Sequence, residues 1–142
     1  MVPRLFLTVL ALFTVFGAAQ AAPDNGRTGE RPRPTTAAIV QKTITVEVMT
    51  PDGAWELKIE EIRQVGRELW VFAKVERPDG ALGALMQSAA SDQVSGRFPD
   101  LPEKVFVVGK NWTWANEEPV QWLAKGNDAI EKRRQGQRLW RR

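Results

Sequence analysis

Trp112-Thr113-Trp114 is the arrangement in this 142-residue chain whose residue types and spacing best fit recognition chemistry. In extended backbone, residues i and i+2 share a face, so the two indoles stand side by side. Such a pair forms a platform for a sugar ring or a plug for a partner's groove. Lys110, Glu117 and Glu118 fall where they would rim it. The competing reading is that the pair caps one end of a hydrophobic core beside Trp122, since a buried Trp stabilises by about 2–3 kcal/mol. A second candidate is the tail, where Arg133, Arg134, Arg138, Arg141 and Arg142 surround Leu139 and Trp140. A Trp among arginines inserts at anionic lipid interfaces, each basic residue adding ~1 kcal/mol. One tail then gives weak, salt-sensitive contact. The plainer alternative is a disordered, solubilising tail.

Catalytic constellations are harder to build. The chain has no Cys, no His and no Tyr, which excludes thiol nucleophiles, Cys/His zinc sites, imidazole bases and disulfides. A Ser–Lys dyad needs a spacing such as S-x-x-K, but Ser88, Ser91 and Ser95 are followed three residues later by Ser91, Val94 and Phe98. Adjacent carboxylates at Glu60-Glu61 and Glu117-Glu118 do not make a glycosidase pair, because neighbours on a strand point to opposite faces. Asp92 and Asp100 bracket a stretch of turn composition without calcium-loop spacing. Asn111-Trp112-Thr113 matches a glycosylation acceptor, a pattern short enough to arise by chance. No catalytic, cofactor or metal residue is assigned, and the expectation is a non-enzymatic protein without cofactor.

The elements that must carry these residues begin after an address segment. Arg4, the 12-residue apolar run Leu5 to Phe16, and Ala19-Gln20-Ala21 follow the order of a secretory signal peptide. As a helix the run reaches roughly 18 Å, short of a bilayer core of ~30 Å. Extended to Ala22 it is at most a marginal anchor, interrupted by Thr8, Thr14 and Gln20. Cleavage near Ala21 is expected, and the mature chain is expected to be exported, periplasmic or secreted, with no transmembrane segment. Residues 22–37 read as a flexible Pro/Arg-rich linker. From residue 38 to 124 lies the expected domain, and 125–142 form a basic tail, disordered or a marginal helix. Charge divides the same way. Residues 37–124 hold 9 Lys/Arg against 13 Asp/Glu, and 125–142 hold 7 against 2. The high isoelectric point belongs to the tail, and no basic face of the nucleic-acid-binding kind is evident.

Period-2 alternation places strands at Ile44–Val48, at Trp55–Ile62 with a bulge at Glu60-Glu61, and at Glu68–Arg77. In the last, Leu69, Val71, Ala73 and Val75 line one face and Trp70 and Phe72 the other, which marks a central strand covered on both sides. Pro51-Asp52-Gly53 and Pro78-Asp79-Gly80 read as the turns of two hairpins. Leu82–Ala89 reads as a weak strand, Ser91–Pro102 as a crossing between sheets, and Val105–Val108 and Val120–Leu123 as short strands. Asn127 is placed as the cap of a short helix through Arg134, ended by Gly136. The fold expected is all-β: an antiparallel immunoglobulin-like sandwich, with a small open barrel as the alternative.

The expected function is an exported binding or interaction module presenting the Trp-x-Trp loop to an envelope protein or glycan. The alternative is an envelope-associating protein tethered by its Arg/Trp tail. The layout also invites comparison with small immunoglobulin-like protease inhibitors of the chagasin type. Their loops are not matched: Arg33-Pro34-Thr35-Thr36 lies in the linker, and Gly80-Ala81-Leu82-Gly83 lacks paired glycines. No nucleic-acid partner is expected.

Overall fold

The computed structural model describes residues 36–124 and 127–142. The expected signal segment, the linker through residue 35 and residues 125–126 lie outside the described residues. Thr35–Arg142 form one compact unit. Its elements in chain order are β1 (Ile39–Thr50), β2 (Glu56–Val65), β3 (Glu68–Glu76), β4 (Ser88–Pro99), β5 (Glu103–Val108), β6 (Val120–Leu123), α1 (Asn127–Arg134) and β7 (Gln137–Arg141).

The strands form two sheets: a β1-β4 ribbon and a five-stranded sheet in the order β6-β5-β3-β2-β7. Neither closes into a barrel. The alternating side of β1, with Ile44, Val46 and Val48 fully buried, faces the larger sheet. That sheet answers with Leu57, Ile59, Ile62, Leu69, Val71, Ala73 and Val75. Its other side carries Trp70, Phe72 and Phe106, as the two-faced pattern of β3 requires.

Helix α1 lies on this second side without burying a single residue of its own. Its contact is cationic: Lys132 Nζ stands 5.1 Å from the Phe106 ring and 5.4 Å from Trp70, and Arg133 is 5.4 Å from Phe72. Long basic side chains cover apolar rings with their stems while their heads stay wet. A helix without an apolar stripe thus still packs.

Several expectations are corrected by the pairing. The Pro51-Asp52-Gly53 turn does not close a hairpin, because β1 pairs with β4 and the turn carries the chain from one sheet to the other. Leu82–Ala89 is not a strand over its apolar part. Residues 81–87 form a loop, and the strand runs from Ser88 to Pro99, through the stretch read as a crossing. Antiparallel pairing throughout is also corrected, since β3–β5 and β5–β6 are parallel. Finally, the tail is not merely helix or coil: Gln137–Arg141 adds to the sheet against β2. The expected bulge is present in β2, between Ile59 and Glu61.

Candidate functional site

Strands β1, β3 and β5 end, and β2 and β4 begin, at one end of the two-sheet body. The loop after β5 leaves from Gly109, at φ +103°, where an added Cβ would lie 2.0 Å from the Val75 carbonyl oxygen. Only glycine permits that approach, and it sets the direction of the segment behind it. From Asn111 to Val120 exposed and half-buried residues alternate, so the segment presents every second side chain inward like a strand. The inward set is Trp112, Trp114, Asn116 and Glu118.

Trp112 is the hub of this set. Its ring stacks on Trp114 at 5.4 Å with planes 29° apart, and meets Trp55 and Trp122 edge-on at 5.2 and 5.5 Å. Its Nε1 donates to Asn116 Oδ1 at 2.9 Å. Offset and edge-on pairs of this kind each add about 0.5–1.5 kcal/mol beyond area burial. Lys110 Nζ sits 5.2–5.9 Å from the rings of Trp122, Trp112 and Trp114 and donates to the Trp114 carbonyl at 2.7 Å. The side-by-side pair and its lysine are therefore assembled as the spacing implies. Trp112, Trp55 and Trp122 pack against the main core, as the core-cap reading expects, whereas Trp114 is half-buried outside that cluster.

Beyond Trp114 opens a groove of about 690 Å³, lined also by Met49, Gln87, Ala115, Asn116, Glu117 and Glu118. Asn116 and Glu118 do not simply rim it. The Asn116 amide donates to the Met49 carbonyl oxygen at 3.0 Å, and Glu118 Oε1 accepts the Met49 N–H. Two side chains thus bind the edge of β1 as a neighbouring strand would. Burial pushes the Glu118 carboxyl up. The N–H groups of Met49 and Glu118, the Asn116 amide and the Lys110 charge outweigh that, so its pKa is lowered. Its other oxygen, Oε2, is buried and has no hydrogen-bond partner among the described residues, and the same holds for Trp122 Nε1. Glu117 is exposed at the groove.

The tail residues occupy another place. Leu139 and Trp140 are half-buried against the main core, Trp140 opposite Ile62. Arg138 and Arg141 are exposed, beside Arg63 and Glu61 in register. Arg133 pairs with Glu60, and Arg142 with Asp92 at 2.7 Å. Trp140, the indole of the tethering alternative, is thus half-buried against the core.

Other candidates dissolve into structure. Glu61 is buried and ion-paired with Arg63, whose guanidinium also donates to the Gln135 and Gly136 carbonyls at 2.7 and 2.9 Å. That arrangement seats a cation on the carbonyl end of α1. Asp92 and Asp100 do not flank a loop: they stand eight positions apart with the end of strand β4 between them, roughly 26 Å at ~3.3 Å per residue. Sequence reasoning missed Met49, Gln87 and Asn116, and nothing in their types or spacing marks them. Trp55 was legible only as a strand residue.

Compared with family models, with curated proteins and with solved structures, the chain matches none.

Proposed function

We propose that this chain is an exported, non-enzymatic binding module whose ligand enters the groove beside Trp114, and that the ligand is an envelope glycan. One observation carries the reading: an indole, braced from behind by Trp112, borders an open groove whose other walls include the amides of Gln87 and Asn116 and the carboxylates of Glu117 and Glu118, beside Met49 and Ala115. Sugar rings stack on indoles through their apolar face and offer hydroxyls to such groups. A concave site suits an entering ligand better than a plug. The layout of Leu5–Phe16 and Ala19-Gln20-Ala21 supports export, and the two-sheet body supports the sandwich reading at the level of architecture. Mass spectrometry of native material should find an amino terminus at Ala22, and an intact Met1 would overturn the export part.

Titration calorimetry against a panel of soluble oligosaccharides tests the ligand. Binding to at least one member, abolished by Trp114→Ala while the fold is retained, is the expected result. Silence across the panel, or binding unaffected by Trp114→Ala, rejects it. The tethering alternative loses its main support with Trp140 packed on the core.

A further inference from the structure

The groove beside Trp114 is rich in acceptors and short of donors. Its polar lining is Gln87, Asn116, Glu117 and Glu118, and among the described residues no Lys or Arg lines it. Asn116 is already engaged: Oδ1 accepts from Trp112 Nε1 at 2.9 Å, and the amide donates to the Met49 carbonyl at 3.0 Å. Glu118 gives Oε1 to the Met49 N–H and its Oε2 is buried, so it reaches the groove through charge alone. The Lys110 cation acts on Glu118 and offsets that charge. Glu117 remains. Its side chain is exposed on the groove and has no ion-pair partner among the described residues.

A carboxylate only accepts hydrogen bonds, whereas an ammonium offers three donors and no acceptor. A hydroxyl does both, and an acetamide adds a carbonyl acceptor that Glu117 cannot meet. The indoles supply a second, independent observation. Lys110 Nζ stands 5.2 Å from the Trp122 ring centroid, 5.8 Å from Trp112 and 5.9 Å from Trp114. The cluster thus holds one ammonium already, as the negative face of an aromatic ring favours. Carboxylates and cations then match one to one: Lys110 answers Glu118, and Glu117 is left for a cation from the ligand. A metal ion suits the place less. Among the described residues no three acid side chains gather to hold one, and calcium takes about 6–8 oxygens. We infer that the glycan of this groove is an amino sugar with a free, protonated amine, its ring on Trp114 and its ammonium on Glu117. At about 690 Å³ the groove is of the size that encloses small ligands. The inference rests on the glycan reading and narrows it to a cationic sugar.

Titration calorimetry of the processed chain at about pH 6, where Glu is ionised and an amine protonated, tests it. Three probes of one linkage and length separate the chemistries: a glucosamine tetramer, its N-acetylated counterpart and a glucose tetramer. The glucosamine tetramer should bind at least about fivefold more tightly than the other two, the scale of one exposed ion pair with a cation–indole contact. Added salt should shrink that margin. Glu117→Gln alters an exposed residue, so the variant should fold, and it should lose the margin while keeping a weaker binding common to all three. Trp114→Ala should abolish binding of every tetramer. An N-acetylated or glucose tetramer that binds as tightly as the amine form overturns the inference and leaves the glycan reading standing. A margin that survives Glu117→Gln overturns it too and assigns the amine to another group. Three silent tetramers overturn it, and silence across the wider oligosaccharide panel fails the glycan reading as well.

Discussion

Glu118 accepts the backbone N–H of Met49, so a side chain from the loop after β5 takes the place of a strand on the edge of β1. The adjoining Asn116 amide binds the carbonyl of the same residue. The position of Trp114 is therefore tied to a carboxyl group whose lowered pKa favours its ionised form.

That dependence fixes a pH response. The folded-state pKa of Glu118 is lowered from its ordinary value. Its contribution is fully present at neutral pH, where the group is ionised in both states. It fades as pH falls below the ordinary Glu value of about 4.3 through the lower folded one. Urea midpoints taken from pH 7 down to pH 3 should fall less steeply for Glu118→Gln than for the wild type. Equal slopes would remove Glu118 as the anchor.

The two tryptophans should separate by role. Trp112→Ala removes the hub of the four-indole contact and should cost about 2–4 kcal/mol in urea unfolding, near the range for large-to-small changes in packed sites. Trp114→Ala, at the edge, should cost about 1 kcal/mol or less and act on binding instead. Comparable losses would mean that Trp114 is structural.

Glycine substitutions should divide likewise. Gly109→Ala meets both a positive φ and a carbonyl oxygen 2.0 Å away, and should cost more than about 3 kcal/mol or prevent folding. Gly80→Ala, at φ +73° with open space around it, should cost only about 1–2 kcal/mol. Thermal unfolding of the pair checks this, and equal effects would show that the approach to Val75 is not limiting.

Strand β7 should be structural. Trp140→Ala should destabilise by about 2–3 kcal/mol, because the indole packs against the core opposite Ile62. Its partitioning onto anionic vesicles at low salt should match the wild type, and a selective loss there would restore the tether.

The fold was legible where a period of two is written in apolar residues, as in β1 to β3, and where short apolar runs end at glycine, as in β5. Strand β4 was hidden because its inward face reads Ala90, Asp92, Val94, Gly96, Phe98, in which small and polar residues interrupt the alternation. Gly96 leaves room for the Phe98 ring, 3.1 Å from where a Cβ would sit. Asp92 faces inward because it accepts the Ile59 N–H at 2.8 Å. The apolar letters of Leu82–Met86 suggested burial, yet Leu82, Leu85 and Met86 stand exposed on a loop. Turn chemistry at Pro51-Asp52-Gly53 was read correctly as a turn, yet it cannot distinguish a hairpin from a passage between sheets. In the site, the indole pair followed from its spacing, whereas Met49, Gln87 and Asn116 arrive through tertiary placement alone.

One oxygen of Asp92 takes the Ile59 amide from the large sheet and the Arg142 guanidinium from beyond β7. Among the described residues, the adjoining stretch of β2 from Glu56 to Ile59 has no strand on that flank. The seam there is a clasp built on one carboxylate, which salt can loosen without tearing any ladder. Swelling of the molecule under such conditions should start at this flank, with the Ile59 amide as its earliest reporter in deuterium exchange.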